Sequence, residues 1–212
     1  MLNKLNEKRL IRRGKKLITQ GKLEKAHLCF QKAVVLDNST DNLFYLGLSL
    51  MSLSRFAEAK KYFTDIHEQN PENELNLLSL AECNMMQRDW LAAQRNYQQL
   101  CKLFPNNNAY QEYLKRSEDV VYREKYVVSR ELFAQAERAL FAKDKSQALE
   151  HLLEAEQYNP DNPNILNNIG SLLMLQKRYD EAFPYIEKAV NIAPHNEKFK
   201  ESFQRIKQKI RR

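Results

Sequence analysis

The sequence predicts an all-α fold, a solenoid of stacked helix–turn–helix repeats, from two regular spacings and one shortage. Five alanines recur at intervals of 33, 34, 55 and 34 residues: Ala26, Ala59, Ala93, Ala148 and Ala182. Four prolines each follow one of these alanines by 12 residues: Pro71, Pro105, Pro160 and Pro194. Only four glycines and six prolines occur in 212 residues, which leaves little turn material for a many-stranded sheet.

Each repeat contains a first helix and a second helix, and repeat 2 shows the pattern best. Its first helix carries Leu43, Leu46, Gly47 and Leu50, and its second carries Phe56, Ala59 and Phe63. Spacings of three and four place these side chains on one helical face, and the small residues allow two antiparallel helices to approach closely. Each pair leaves a second apolar stripe that only the next pair can bury, so the repeats stack.

This pattern resembles the tetratricopeptide repeat family, whose W-x2-L-G-x2-Y, A-x3-F and P positions are matched in kind by five units. The resemblance implies a right-handed superhelical solenoid in which the first helices line a concave groove. The sequence departs from the family pattern in three ways. Leucine replaces the tryptophan, Arg13 and Gln135 fill a position that is usually apolar, and Ala81 and Ala136 stand where glycine is common.

The spacing divides the chain into four segments. They are three repeats over 1–106, an inserted connecting helix over 107–128, two repeats over 129–195 and a C-terminal capping helix over 196–212. The capping helix places four apolar residues on one face: Phe199, Phe203, Ile206 and Ile210. The inserted segment leaves two alternatives open, a break at 127–129 with Ser129 as the cap of a new helix, or one continuous helix from about 107 to 142.

The family register places nine candidate ligand-binding residues on the first helices: Lys15, Phe44, Leu48, Met51, Leu78, Glu82, Met85, Asn167 and Asn168. The apolar members predict a groove that receives the apolar face of a partner helix or an extended segment, with the methionines adapting to its shape. The two asparagines offer side-chain amides to a ligand backbone. The alternative is that these residues pack against neighbouring helices or are covered by the chain's own helices.

The residues of this chain exclude one known ligand specificity of the family. Co-chaperones that bind the acidic tail of a heat-shock chaperone use Lys and Asn in the first repeat, Asn in the second, and Lys and Arg in the third. The matching positions here hold Ile11, Lys15, Tyr45, Leu75 and Ser79. Two carboxylates would find no array of charge-assisted donors on these residues.

The sequence predicts no enzymatic activity and no cofactor. Four histidines are dispersed without metal-ligand spacing, and neither a glycine-rich phosphate loop nor a nucleophile elbow occurs. Three cysteines without a C-x-x-C pair favour reduced thiols and a cytoplasmic location: Cys29, Cys83 and Cys101. No segment approaches 18 uncharged apolar residues, so we expect no transmembrane span.

The net charge of +7 is unevenly distributed. Residues 1–36 carry +8, residues 196–212 carry +5, and the residues between them carry −6. Basic ends keep the terminal helices solvated, or they bind anionic partners. The basic residues concerned are Lys8, Arg9, Arg12, Arg13, Lys15 and Lys16 near the start and Lys207, Lys209, Arg211 and Arg212 near the end.

These observations predict a cytoplasmic, non-enzymatic adaptor, scaffold or chaperone-like protein that binds a helical or extended segment of a partner protein in its concave groove. The alternative is a protein whose basic surface docks on nucleic acid or an anionic membrane. Homo-oligomerisation through the inserted helix is compatible with either function.

Overall fold

The computed structural model describes residues 2–210, so Arg211 and Arg212 of the C-terminal basic cluster lie outside the described residues. The described part of the chain forms twelve α-helices and no strand, which confirms the predicted all-α fold. The first six helices are α1 (Leu2–Thr19), α2 (Leu23–Leu36), α3 (Thr40–Ser52), α4 (Phe56–Gln69), α5 (Glu74–Met86) and α6 (Trp90–Leu103). The others are α7 (Asn108–Glu118), α8 (Val120–Phe141), α9 (Lys145–Tyr158), α10 (Pro163–Leu175), α11 (Tyr179–Ile192) and α12 (Glu197–Ile210).

The chain divides into two compact units, unit 1 up to Arg123 and unit 2 from Glu124 onward. In unit 1, three helical hairpins form from α1 and α2, α3 and α4, and α5 and α6. Successive hairpins pack through α2 on α3 and α4 on α5, and α7 packs on α6. Unit 1 is therefore a stack of three repeats followed by one further helix.

Unit 2 contains two hairpins and a closing helix. Leu132, Ala136 and Ala139 of α8 share a hydrophobic core with residues of α9. The next hairpin consists of α10 and α11, and α12 packs against both of its helices. Phe199 and Ile206 of α12 are buried, so the amphipathic C-terminal segment covers the last hairpin with its apolar face.

Close contact at the small residues holds each hairpin together. A Cβ atom on Gly47 would lie 2.6 Å from Cε1 of Phe63, which is fully buried in the facing helix. On Gly170, a Cβ atom would lie 3.1 Å from the backbone oxygen of Ala182 and would also overlap Ile186. Any side chain at these two positions would push the helices of the hairpin apart, as the sequence pattern predicts.

All five hairpins turn through one residue with positive φ, and these residues recur at the same intervals as the alanines. They are Gly21, Ser54, Arg88, Lys143 and Lys177, with φ between 58° and 70°. The residue after each donates its backbone N–H back into the first helix, as Arg55 does to Leu50 O at 2.8 Å. These bonds satisfy carbonyl groups that the helix end leaves open. Four of the five turns hold a non-glycine residue at the positive-φ position. The left-handed conformation of that residue costs about 1–2 kcal/mol in each of these turns.

The inserted segment contains a helix break at Asp119. Neither of the two alternatives drawn from the sequence has a break at this residue. The Asp119 carboxylate accepts hydrogen bonds from the backbone N–H groups of Val121 and Tyr122, both at 2.9 Å, and so caps the start of α8. Ser129 lies inside α8 and does not cap a helix, because its hydroxyl donates to Ala155 O at 3.1 Å. The helix runs unbroken through 127–129 because this contact keeps Ser129 in the packed core of unit 2. The four-segment division, with its boundaries at 106, 128 and 195, stays a prediction.

A buried polar pair joins α2 to α3 in unit 1. Ser49 donates its hydroxyl to Leu46 O at 2.7 Å, so its oxygen accepts from the Nδ1–H of His27 at 2.9 Å. Both side chains are buried. Burial, and then the positive charge of Arg55, lower the pKa of His27 below its ordinary value of 6.5, although Glu24 and Glu58 partly oppose this. Burial therefore favours the neutral form of this ring in the folded protein.

We predict that Gly170→Ala destabilises unit 2. Overpacking against Ile186 and a fixed backbone oxygen typically costs about 1–3 kcal/mol, whereas exchange of a helical glycine for alanine returns about 1 kcal/mol. The expected net loss is about 1 kcal/mol in the free energy of unfolding. Urea denaturation followed by circular dichroism measures it. Leu175→Ala on the same helix, at a side chain 65% exposed, is the matched control; equal stabilities of the two variants would contradict the prediction.

His27 makes the stability of unit 1 dependent on pH. Between the lowered pKa of the folded state and 6.5, the unfolded chain binds a proton that the folded chain does not. Stability from this residue is therefore present above 6.5 and is lost as the pH falls. We expect His27→Gln to reduce the loss of unfolding free energy between about pH 7.5 and 5.5. Trp90, the single tryptophan, lies in unit 1, so its fluorescence reports this transition; an unchanged pH slope would refute the assignment.

Candidate functional site

An apolar strip follows one face of α3 in unit 1. Phe44, Leu48 and Met51 are half-buried and pack over the core cluster that includes Leu50 and Phe63. The ring centroids of Phe44 and Phe63 are 5.6 Å apart in a tilted arrangement. The strip residues are therefore fixed from beneath while part of each side chain faces solvent.

Helix α5 extends the apolar character of this surface. Leu78 and Glu82 are half-buried, whereas Met85 is only 3% exposed and is part of the core. Leu75, three residues before Leu78, is 62% exposed. In the sequence, Leu75 stood out only because it occupies a position where co-chaperones that bind an acidic tail carry a basic residue. Its spacing from Leu78 places both side chains on one helical face.

Lys15 of α1 is exposed, but its ammonium group is engaged by Tyr45 of α3. Its Nζ donates to the Tyr45 hydroxyl at 2.7 Å and lies 4.1 Å from the centroid of the ring. The Tyr45 ring is in turn stacked on Phe30, with centroids 5.9 Å apart. The cation–π contact therefore holds the positive charge of Lys15 beside an aromatic cluster.

The two candidate asparagines lie on α10 in unit 2. Asn167 is 1% exposed, and its Oδ1 has no hydrogen-bond partner among the described residues. Asn168 is half-buried. A ligand backbone can therefore reach Asn168 at the surface, whereas contact with Asn167 requires α10 or its neighbours to move. The sequence register does not predict how deeply either side chain is buried, because depth depends on the neighbouring helix.

Potential metal ligands are dispersed in the part of the chain that the structure describes. No group of three His, Cys, Asp or Glu side chains that could hold a metal ion occurs there. Cys29 and Cys83 are buried and Cys101 is half-buried, and all three are free thiols. Burial raises the pKa of Cys83 to about 12, so this thiol is protonated and unreactive at neutral pH.

The helices of residues 2–210 include none with the length and apolar content needed to cross a lipid bilayer.

Three of the similar known structures cover nearly the whole of this chain. A tetratricopeptide repeat protein from Parabacteroides merdae superposes with a TM-score of 0.52 at 15% identity, over 96% of this chain and 85% of that one. The TPR2AB domain of yeast Sti1, in its pHSP90 complex, has a TM-score of 0.48 and 14% identity over 96% and 84% of the two chains. Pseudomonas aeruginosa pilF has a TM-score of 0.45 and 16% identity over 100% and 87%. At 15% identity, the similarity to the Parabacteroides merdae protein shows the fold alone.

Family models match both units, and no curated protein matches the sequence. One tetratricopeptide repeat model matches residues 133–197, and a second matches residues 41–73 and 76–107. The matched segments cover more than half of the chain and contain the hairpins from α3 to α6 and from the end of α8 to α11. Members of this family are generally non-enzymatic scaffolds for protein–protein interaction. With its helical hairpins, its small-residue contacts and these matches, the chain belongs to the tetratricopeptide repeat family.

Proposed function

We propose that this protein is a non-enzymatic adaptor or chaperone-like protein that binds a helical or extended segment of another protein on the first helices of unit 1. The observation that carries the proposal is the strip of Phe44, Leu48 and Met51 on α3, together with Leu78 of α5. These apolar side chains remain half-exposed on helices whose other faces are packed. Groups of partly exposed apolar residues mark interaction surfaces more often than scattered single ones do, and Phe44 and Leu48 lie one turn apart on the same face of α3.

The strip is suited to binding because its residues are already ordered. Phe44 is held by Phe63 and by an edge contact with Tyr45, whose ring centroid lies 6.4 Å away. A partner that covers this ring therefore loses little side-chain entropy in the complex. Met51 adds an adaptable side chain at the end of the strip, and the exposed Leu75 extends the strip on α5.

Charged residues lie near the strip, but they do not form the basic array that binds the acidic tail of a chaperone. Lys15 lies beside Tyr45 on one side, and Glu82 lies on α5 on the other. We infer that the bound segment is predominantly apolar, with polar residues at its edges. Unit 2 offers the side-chain amide of Asn168 for a separate backbone contact. Asn167 of unit 2 and Met85 of unit 1 are both buried, so neither is part of these surfaces.

Non-enzymatic action and a cytoplasmic location are part of this proposal. Three free thiols, two of them buried, support a reducing compartment.

Val120 and Val121, at the start of α8, are 59% and 62% exposed, which supports self-association through the inserted segment. Sedimentation equilibrium of Val121→Glu beside the natural chain tests this self-association.

The principal test replaces the strip with charge. Phe44→Glu combined with Leu78→Glu should weaken partner binding at least about thirtyfold, the effect of losing about 2 kcal/mol at an interface hot spot. Proteins crosslinked to the full chain in native cells are identified and quantified by mass spectrometry, and the affinity of the leading partner is then measured for each variant. The matched control is Leu28→Glu with Leu91→Glu, two leucines 53% and 68% exposed on second helices.

A second variant separates binding from folding. Phe44 packs on the core, so its replacement also affects stability, whereas Leu75→Glu changes a side chain that is mostly in solvent. We expect Leu75→Glu to keep the helicity of the natural chain and to weaken partner binding about tenfold. Retention of every partner by both strip variants, with unchanged circular dichroism, would exclude the apolar strip as the binding surface.

A further inference from the structure

A groove of about 560 Å³ lies between α1 and α2, apart from the apolar strip of α3 and α5. Its apolar lining comes from Leu10, Val35 and Leu36, and its charged lining from Arg9, Arg13 and Lys32. Val35 is 85% exposed, more than the other large hydrophobic side chains of the described residues. The groove therefore combines an accessible aliphatic surface with three cations.

The groove lies on the side of the first hairpin that faces away from the second. In the next hairpin, the positions of Leu10 and Arg13 are taken by Leu43 and Leu46, which are 8% and 3% exposed. Leu46 is buried because it packs on Ala26 and Phe30 of the preceding hairpin. Arg13 is exposed instead, so this face carries a cation where a face buried by another repeat carries leucine.

The charge of the groove is unbalanced. No carboxylate is among its lining residues, although Glu7 and Asp37 adjoin two of them in sequence. None of the three lining cations has an ion-pair partner among the residues that the structure describes. Three unpaired cations around aliphatic side chains are complementary to a ligand that carries negative charge and apolar groups together.

The shape and lining of the groove favour one class of ligand. No aromatic or histidine ring lines it, so a single-stranded nucleic acid would find no surface on which to stack its bases. A bilayer binds amphipathic faces that insert into it, whereas a groove receives side chains that project from a partner. From this geometry we infer that the α1–α2 groove binds an acidic, aliphatic segment of a second protein, with Leu or Ile side chains on Val35 and carboxylates on Arg9, Arg13 and Lys32.

The test selects ligands for the full chain from a phage-displayed library of random short peptides. Selection is run in parallel on Arg9→Glu with Arg13→Glu, and on Lys8→Glu with Arg12→Glu. The second pair is the matched control, because it makes the same change of charge on exposed residues of α1 that do not line the groove. Circular dichroism verifies that both variants keep the helicity of the natural chain.

We expect peptides rich in Asp or Glu with Leu or Ile to be enriched on the natural chain and on the control variant, but not on the groove variant. Fluorescence anisotropy of the best peptide should give an affinity at least about tenfold weaker for the groove variant, and weaker also for Val35→Ser. Equal weakening by both charge variants would overturn the inference, because it indicates nonspecific electrostatic attraction. Tighter binding of single-stranded DNA or phosphatidylserine vesicles than of any peptide, or selected peptides without excess acidic residues, would overturn it as well.

This inference is independent of the proposed function. The strip variants change α3 and α5 and leave the groove residues intact, while the groove variants change only α1 or α2. Loss of peptide binding without loss of the partner bound on the strip would therefore identify two surfaces on unit 1.

Discussion

The close approach of two antiparallel helices at a small residue is the constraint on which the rest of this structure depends. Gly47 against Phe63 and Gly170 against Ile186 leave no room for a side chain on the glycine. Because the helices are this close, each hairpin hides one apolar stripe within itself and turns another toward its neighbour. The stack, the position of each first helix and the residues that reach its surface all follow from that contact.

In a stack with this geometry, the first hairpin of each unit differs from the hairpins that pack on a preceding one. In unit 1, Leu46 and Leu80 are buried at the position that faces the preceding hairpin, whereas Arg13 in the first helix is exposed. In unit 2, Ile169 is fully buried at that position and Gln135 of α8 is exposed. Both of these departures from the family pattern are exposed polar side chains, each in the first hairpin of its unit. At the other end of unit 2, α12 supplies Phe199 and Ile206 to the core.

The sequence predicted the features that recur in every repeat and left open the features that occur only once. The period gave the hairpins and the small-residue contacts, because stacking imposes the same requirement on every unit. It could not place the helix break at Asp119, since a single capping carboxylate has no periodic signature. It could not separate half-buried Met51 from buried Met85, or Asn168 from Asn167. A position in the register gives the face of a helix, whereas depth depends on the size of the side chains on the next helix.

Binding specificity in this protein belongs to residues that the packing constraint leaves undetermined. Replacement of a glycine inside a hairpin changes the stability of the stack, whereas replacement of Phe44, Leu75 or Leu78 changes what its surface binds. The same division explains Arg13, which is free to be charged only because no hairpin is packed on it. Partner choice can therefore change on the first helices and on the end face of a stack while the fold stays the same, so the chemistry of these exposed positions, and not the repeat itself, decides what the protein binds.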